Sequence, residues 1–240
     1  MRPVEDLVNT AEDAWPELLA ELSDSPAPVR VLPVDEPSGR RCLYRMQVTS
    51  RSRLGAMALH AGGLVVDHGW LRLYGGGDAA SGLPSLAEVN GFDGSPRYAP
   101  ASFAVGHDVI GGRYEVNGPV PPPGRPGAPG EVCYFAPDTL AWEPLEMPYG
   151  VFLSWLAAGA TEQFYDGLRW PGWQDEVAAL RLDQGLTVYP FLCTAEARRD
   201  LAATSRAPAP IAQVVSFTAS LAAQLGEIPD GGSFAVRITD

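Results

Sequence analysis

Thirteen residues, Gly118 to Gly130, hold six prolines and four glycines. No such stretch builds a helix interior or a central strand, because proline lacks the backbone donor and glycine lacks the side chain that packing needs. β-Rich segments stand on both sides of it, Arg113 to Asn117 and Glu131 to Phe135. The stretch therefore reads as an exposed, semi-stiff connector between two strands of one domain and not as a domain boundary.

The rest of the chain divides by period. Val29 to Val34, Leu64 to Asp67, Trp70 to Tyr74 and Phe103 to Gly106 read as further strands, with His68-Gly69 a hairpin turn and Gly111-Gly112 a turn or bulge. Cys42, Tyr44, Met46 and Val48 alternate with Arg41, Leu43, Arg45 and Gln47, which predicts another strand. Helical spacing recurs in Val4, Leu7, Val8 and Ala11, and in Leu18, Leu19 and Leu22 behind Trp15-Pro16. It recurs again in Leu54, Met57, Ala58 and Ala61, with Ser50 as cap, and in Tyr149, Phe152, Leu153 and Leu156. Near the end come a strand at Leu186 to Phe191, a Thr194-capped helix, a helix from Ile211 to Leu225 and a last strand at Phe234 to Ile238. This order is mixed, not an alternation of strand and helix. The expected fold is α+β, one domain over residues 1–240, with a mixed, mostly antiparallel sheet, helices packed on it, and residues 185–240 as a C-terminal extension.

Charge narrows the chemistry. All 17 basic residues are arginine, against 29 acids, for a net charge of −12. Without lysine there is no Schiff base, no Lys-dependent phosphate loop and no kinase lysine. The excess is local: residues 1–24 carry seven acids against one arginine, and residues 137–176 carry seven against Arg169. Such a field disfavours nucleic acid and favours a basic partner. Three cysteines, Cys42, Cys133 and Cys193, fit neither a disulfide framework nor a paired metal motif and read as reduced thiols. With an acidic N-terminal segment and no apolar run long enough for a bilayer, the chain reads as cytoplasmic and free of membrane spans.

Motifs are few. Gly75-Gly76-Gly77-Asp78-Ala79-Ala80 has the spacing of a dinucleotide loop, but Ser81-Gly82-Leu83-Pro84 breaks the helix that should follow, so no cofactor is implied. His107-Asp108 is an adjacent histidine–carboxylate pair, and with Gly111 and Gly112 it forms a candidate site in which His107 acts as base and Asp108 as its orienter. No nucleophile elbow or paired ligand spacing completes that site. Tyr165, Arg169, Trp170 and Trp173 concentrate large aromatic groups around one arginine beside Glu162 and Asp166. Binding hot spots are built from such groups, and so are aromatic cores.

Gly69-Trp70-Leu71-Arg72, Gly106 to Gly112, Tyr134 to Trp142 and Phe164-Tyr165 with Leu168-Arg169-Trp170 together resemble an uncharacterised bacterial family, the DUF2625 family, over nearly the whole chain. More distantly, the glycine-rich strand pair, second hairpin and Phe152-Leu153 helix are similar to the SUKH superfamily. That superfamily is α+β and includes immunity proteins that bind and neutralise toxins. The proline loop departs from its pattern, and residues after about Gly185 have no counterpart in it. Together these features favour a protein-binding, immunity-like module without catalysis, engaging a basic protein through Glu162, Tyr165, Asp166, Arg169, Trp170 and Trp173. The alternative is a small-molecule-binding protein or enzyme using the Gly106–Gly112 turn.

Overall fold

The computed structural model describes residues 1–9, 11–95 and 99–225. Seven strands form one antiparallel sheet in chain order: β1 (Val29–Leu32), β2 (Gly63–Val66), β3 (Leu71–Tyr74), β4 (Ser102–Asp108), β5 (Arg113–Asn117), β6 (Glu131–Ala136) and β7 (Ala141–Pro148). The expected α+β class holds, and the sheet is a meander with every neighbouring pair antiparallel. Five helices precede β4 in the chain: α1 (Val4–Leu7), α2 (Trp15–Ser23), α3 (Glu36–Met46), α4 (Arg53–His60) and α5 (Leu86–Val89). After the sheet come α6 (Tyr149–Ala157), α7 (Thr161–Phe164) and α8 (Trp173–Ala178). The C-terminal unit adds a hairpin of β8 (Gln184–Tyr189) and β9 (Ser205–Pro210), with α9 (Ala195–Arg199) between them and α10 (Ile211–Leu225) behind. The strand expected at Phe234 to Ile238 lies outside the described residues.

Register sorts the sheet into two faces, because successive side chains on a strand point opposite ways. Leu64, Leu73, Tyr114 and Tyr134 share one ladder and face the helices, where Tyr114 meets Phe152 at 5.2 Å between ring centres and Tyr134 meets Phe164 at 5.1 Å. Val65, Arg72, His107, Arg113, Phe135 and Trp142 share the other. This outer face is polar and aromatic, yet Arg72 and His107 on it are buried.

The proline loop helps to cover that face. Its residues are mostly exposed, as the sequence predicts, but the Arg125 side chain turns inward and is only 5% exposed. The Arg125 guanidinium lies 3.3 Å over Trp142 and pairs with Glu115 at 2.8 Å, while Asn117 donates to the carbonyl of Pro126. Arg125 therefore acts as a pin. Arg125→Ala is expected to cost about 1–3 kcal/mol and to raise the rate of protease cutting within residues 118–130 at least severalfold, read by timed digestion and mass spectrometry.

The strand expected at Cys42 to Val48 is instead the last part of helix α3, which ends at Met46 with Gln47 in the left-handed region. Asp35 caps that helix by accepting from the Ser38 N–H at 2.9 Å, and Pro37 sits in its first turn. Gly39, Cys42 and Leu43 are its buried face. Gly39 is required there because a Cβ would strike the Leu59 carbonyl of α4. The apparent alternation thus hides an i, i+3, i+4 stripe, which packing selects.

Candidate functional site

The β2–β3 hairpin turns through Asp67, His68 and Gly69, all with positive φ (54°, 58° and 95°). Two non-glycine residues in that region are costly, and such strain persists only where surrounding contacts over-determine it. Here the Asp67 N–H donates to the Pro28 carbonyl at 2.7 Å, and its carboxylate accepts from the Thr161 hydroxyl at 3.1 Å and from the Arg169 guanidinium. The same guanidinium lies 4.2 Å from the Trp173 ring centre, 5.1 Å from Trp70 and 5.2 Å from Tyr165. An ion pair is thereby locked onto an aromatic wall.

Beside this wall opens a cleft of about 540 Å³, bounded by Pro26 to Pro28, Asp67, and the segment from Glu162 to Gln174. Glu162, Asp166, Arg169, Trp170 and Trp173 all border it. Tyr165 does not, being fully buried behind it. The two tryptophans are floor and not protruding anchors, with Trp170 2% and Trp173 8% exposed. The reason is Trp70, whose indole packs among Tyr165, Trp170 and Trp173 at 5.2 to 5.6 Å. The C-terminal hairpin supports the floor from behind. Trp170 donates its indole N–H to Glu176 at 2.7 Å, and Arg206 of β9 pairs with Glu176 while lying 4.3 Å over Trp170.

The acidic segments meet where α2 packs on α6, and much of their charge is answered. Glu21 accepts from Ser154 at 2.7 Å and pairs with Arg53, which holds its carboxyl below the ordinary range. Glu12 pairs with Arg51 and Glu176 with Arg206. Glu162 and Asp166 are exposed and have no cation partner among the described residues. They are the uncompensated charge of the cleft.

The second candidate site is arranged differently from its expectation. β4 runs on to Asp108, so His107 and Asp108 face opposite sides of the sheet and do not pair. His107 Nδ1 meets the Tyr74 hydroxyl at 2.8 Å on the outer face, and burial pushes its imidazole down to about 3. Asp108 is fully buried on the helix side. Its carboxylate accepts from the N–H groups of Ile110 (3.0 Å) and Gly112 (2.8 Å) and from the hydroxyls of Tyr134 (2.7 Å) and Tyr165 (3.2 Å). Burial raises it to about 6, against those bonds. A Cβ on Gly112 would fall on the Asp108 carboxylate and the Tyr134 hydroxyl, and one on Gly111 would press on Thr218 and Val214 of α10. The turn seats the C-terminal unit: Leu186 donates to the Val109 carbonyl at 2.6 Å and Thr218 to that of Gly111 at 3.3 Å, and Ile110 borders a small apolar pocket of about 180 Å³ together with Leu186, Val214 and Thr218.

The glycine loop is also structural. The Gly76 and Gly77 N–H groups donate to the Ala61 and Gly62 carbonyls, and the chain then makes a bridge between Asp78 and Leu83 in place of a long helix. The three cysteines are buried free thiols, and burial raises all three, Cys42 to about 11. Asp67 and Trp70, which build the cleft, were not singled out by sequence, although a hairpin turn carrying an acid at its first position was visible.

Known proteins resemble this chain over about four fifths of its length. It is 37% identical over 198 residues to "Putative uncharacterized protein YbfG" of Escherichia coli (strain K12), covering 80% of this chain and 86% of that protein. A Haemophilus influenzae "Uncharacterized protein" is 32% identical over 195 residues, 80% of this chain and 83% of its own. No solved structure matches the chain. The family model described as "Protein of unknown function DUF2625" matches residues 4–214, which takes in the β2–β3 tip, the whole cleft and the seven-stranded sheet, and the chain belongs to that family.

Proposed function

We propose that this chain is a non-catalytic binding protein whose cleft between the β2–β3 tip and residues 162–174 receives a basic segment of a partner protein. The observation that carries the reading is the charge left in the cleft: the one arginine bordering it is matched by Asp67, so Glu162 and Asp166 stand unanswered above the Trp170 and Trp173 floor. Desolvated aromatic surface ringed by charge of one sign favours a cationic group by cation–π attraction and by steering. The resemblance of the central strands and the Phe152-Leu153 helix to SUKH proteins extends the reading, making the partner a basic toxin-like protein held by an immunity-like module.

The test is a titration with oligoarginine followed by tryptophan fluorescence. Glu162→Arg with Asp166→Arg should weaken binding about tenfold or more, since removing two favourable contacts and adding repulsion changes the sign of the local field. Stability should move by no more than about 0.5 kcal/mol, both sites being exposed. Wild-type binding should weaken as salt rises. Equal affinity of the wild type and the double variant would remove the cleft from the account.

A further inference from the structure

Arg72 and His107 are cross-strand neighbours on the outer face of the sheet. Arg72 is fully buried and His107 is 2% exposed. The Arg72 guanidinium donates from Nε to the Gly69 carbonyl at 3.2 Å and from Nη1 to the carbonyls of Leu182 (2.9 Å) and Gln184. Its Nη2 has no acceptor, and neither has Nε2 of His107 a partner. Among the described residues Arg72 is in no ion pair, and the carboxylate that follows Leu182, Asp183, is held by Arg181.

A buried guanidinium satisfied only by carbonyl dipoles is unusual, because removing the charge from water costs several kcal/mol unless an opposite charge answers it. Burial lowers Arg72 to about 10, so it is still a cation at neutral pH. Tyr74 is pushed up by burial and keeps its proton, and Nδ1 of the neutral His107 is the hydroxyl's one acceptor among the described residues, which assigns the bond as Tyr74 donating. Nε2 then carries a hydrogen. Two N–H donors on paired residues of β3 and β4 are thus left without an acceptor, and the carboxylates of Asp183 and Asp108 act on the guanidinium only at longer range, with no ion pair formed. Arg113, the next residue in the row, is turned instead onto Phe135 and Trp142 beside Glu115.

We propose that Arg72 Nη2 and His107 Nε2 hold a small monovalent anion of halide size on the outer face of the sheet. An anion supplies both the acceptor and the missing charge, where a water molecule supplies only the acceptor. Both free donor atoms are buried, so the ligand is small and enclosed. Because the same guanidinium grips those carbonyls, the anion also fastens the entry of the C-terminal hairpin to the sheet.

The experiment is thermal unfolding of the full chain at constant ionic strength, with gluconate replaced stepwise by chloride. A ligand that binds only the folded state raises Tm in a saturable manner, by roughly 5 °C at a hundredfold excess over its dissociation constant for a chain of this size. Arg72→Gln should abolish the rise. His107→Gln, which keeps the guanidinium and is of similar volume to histidine, should reduce the rise and keeps the test alive if Arg72→Gln does not fold. Crystals grown in bromide should show an anomalous peak between Nη2 and Nε2. Equal Tm in gluconate and chloride, or a water molecule in place of the bromide peak, would overturn the proposal.

Discussion

Asp108→Ala is expected to lower the free energy of unfolding by about 3–5 kcal/mol, read by equilibrium urea denaturation. The carboxylate is the common acceptor for two backbone N–H groups of its own turn and two tyrosine hydroxyls from β6 and the segment after α7. Tyr165 in turn bonds the Tyr114 hydroxyl on β5, so one side chain joins three strands to the segment buried behind the cleft. Alanine leaves those donors buried with no acceptor. Asp108→Asn should cost only about 1 kcal/mol, because the amide oxygen can serve Ile110 and Gly112 while its NH2 donates to hydroxyls that turn to accept. A cost below 1 kcal/mol for the alanine variant would contradict the hub.

The second large effect is on pH dependence, measured in chloride-free buffer. Asp108 has a folded value near 6, raised above its ordinary carboxylate value by burial, so the native state binds its proton more readily than the unfolded chain. Its contribution is present below its unfolded value and is lost, by about 3 kcal/mol, as pH rises through 6. His107 behaves oppositely. Its folded value near 3 lies below the ordinary 6.5 of an exposed imidazole, so the unfolded chain takes the proton first. That contribution is present above 6.5 and is lost by about 5 kcal/mol as pH falls toward 3. Between pH 4 and 6 the two slopes cancel. The groups facing Asp108 are Tyr114, Tyr134 and Tyr165, all raised well above their ordinary range by burial, and those facing His107 are Tyr74, Arg72 and Arg113. None of these titrates in that window. His107→Gln should therefore become more stable as pH falls from 7 to 5, and Asp108→Asn less stable, with the wild type nearly flat between them. Parallel profiles for the three proteins would contradict the assignment.

How much of this was legible in the sequence depended on how local the cause was. The proline loop, the His68-Gly69 turn and the long helix at Ile211 are set by residues adjacent in the chain, and each is where the pattern puts it. Helix α3 was misread because Cys42, Tyr44 and Met46 fit a period of two as well as a stripe including Gly39 and Leu43, and the deciding contact is with α4. Adjacency of His107 and Asp108 suggested a pair, but the strand extends two residues beyond Gly106 and sends them to opposite faces. Five of the six residues named for the binding surface do border one cleft. That their tryptophans form its floor depends on Trp70 and Arg206, distant in sequence, which no local pattern shows.

The central claim, that the acidic cleft binds a basic protein, is tested most directly by immobilising the wild type and the Glu162→Arg, Asp166→Arg double variant side by side in lysate of the source cell. The retained proteins are identified by mass spectrometry after elution with salt. The account predicts a basic protein held by the wild type, released by salt and missing from the variant. Identical sets of proteins on the two surfaces, or none of them basic, would contradict it.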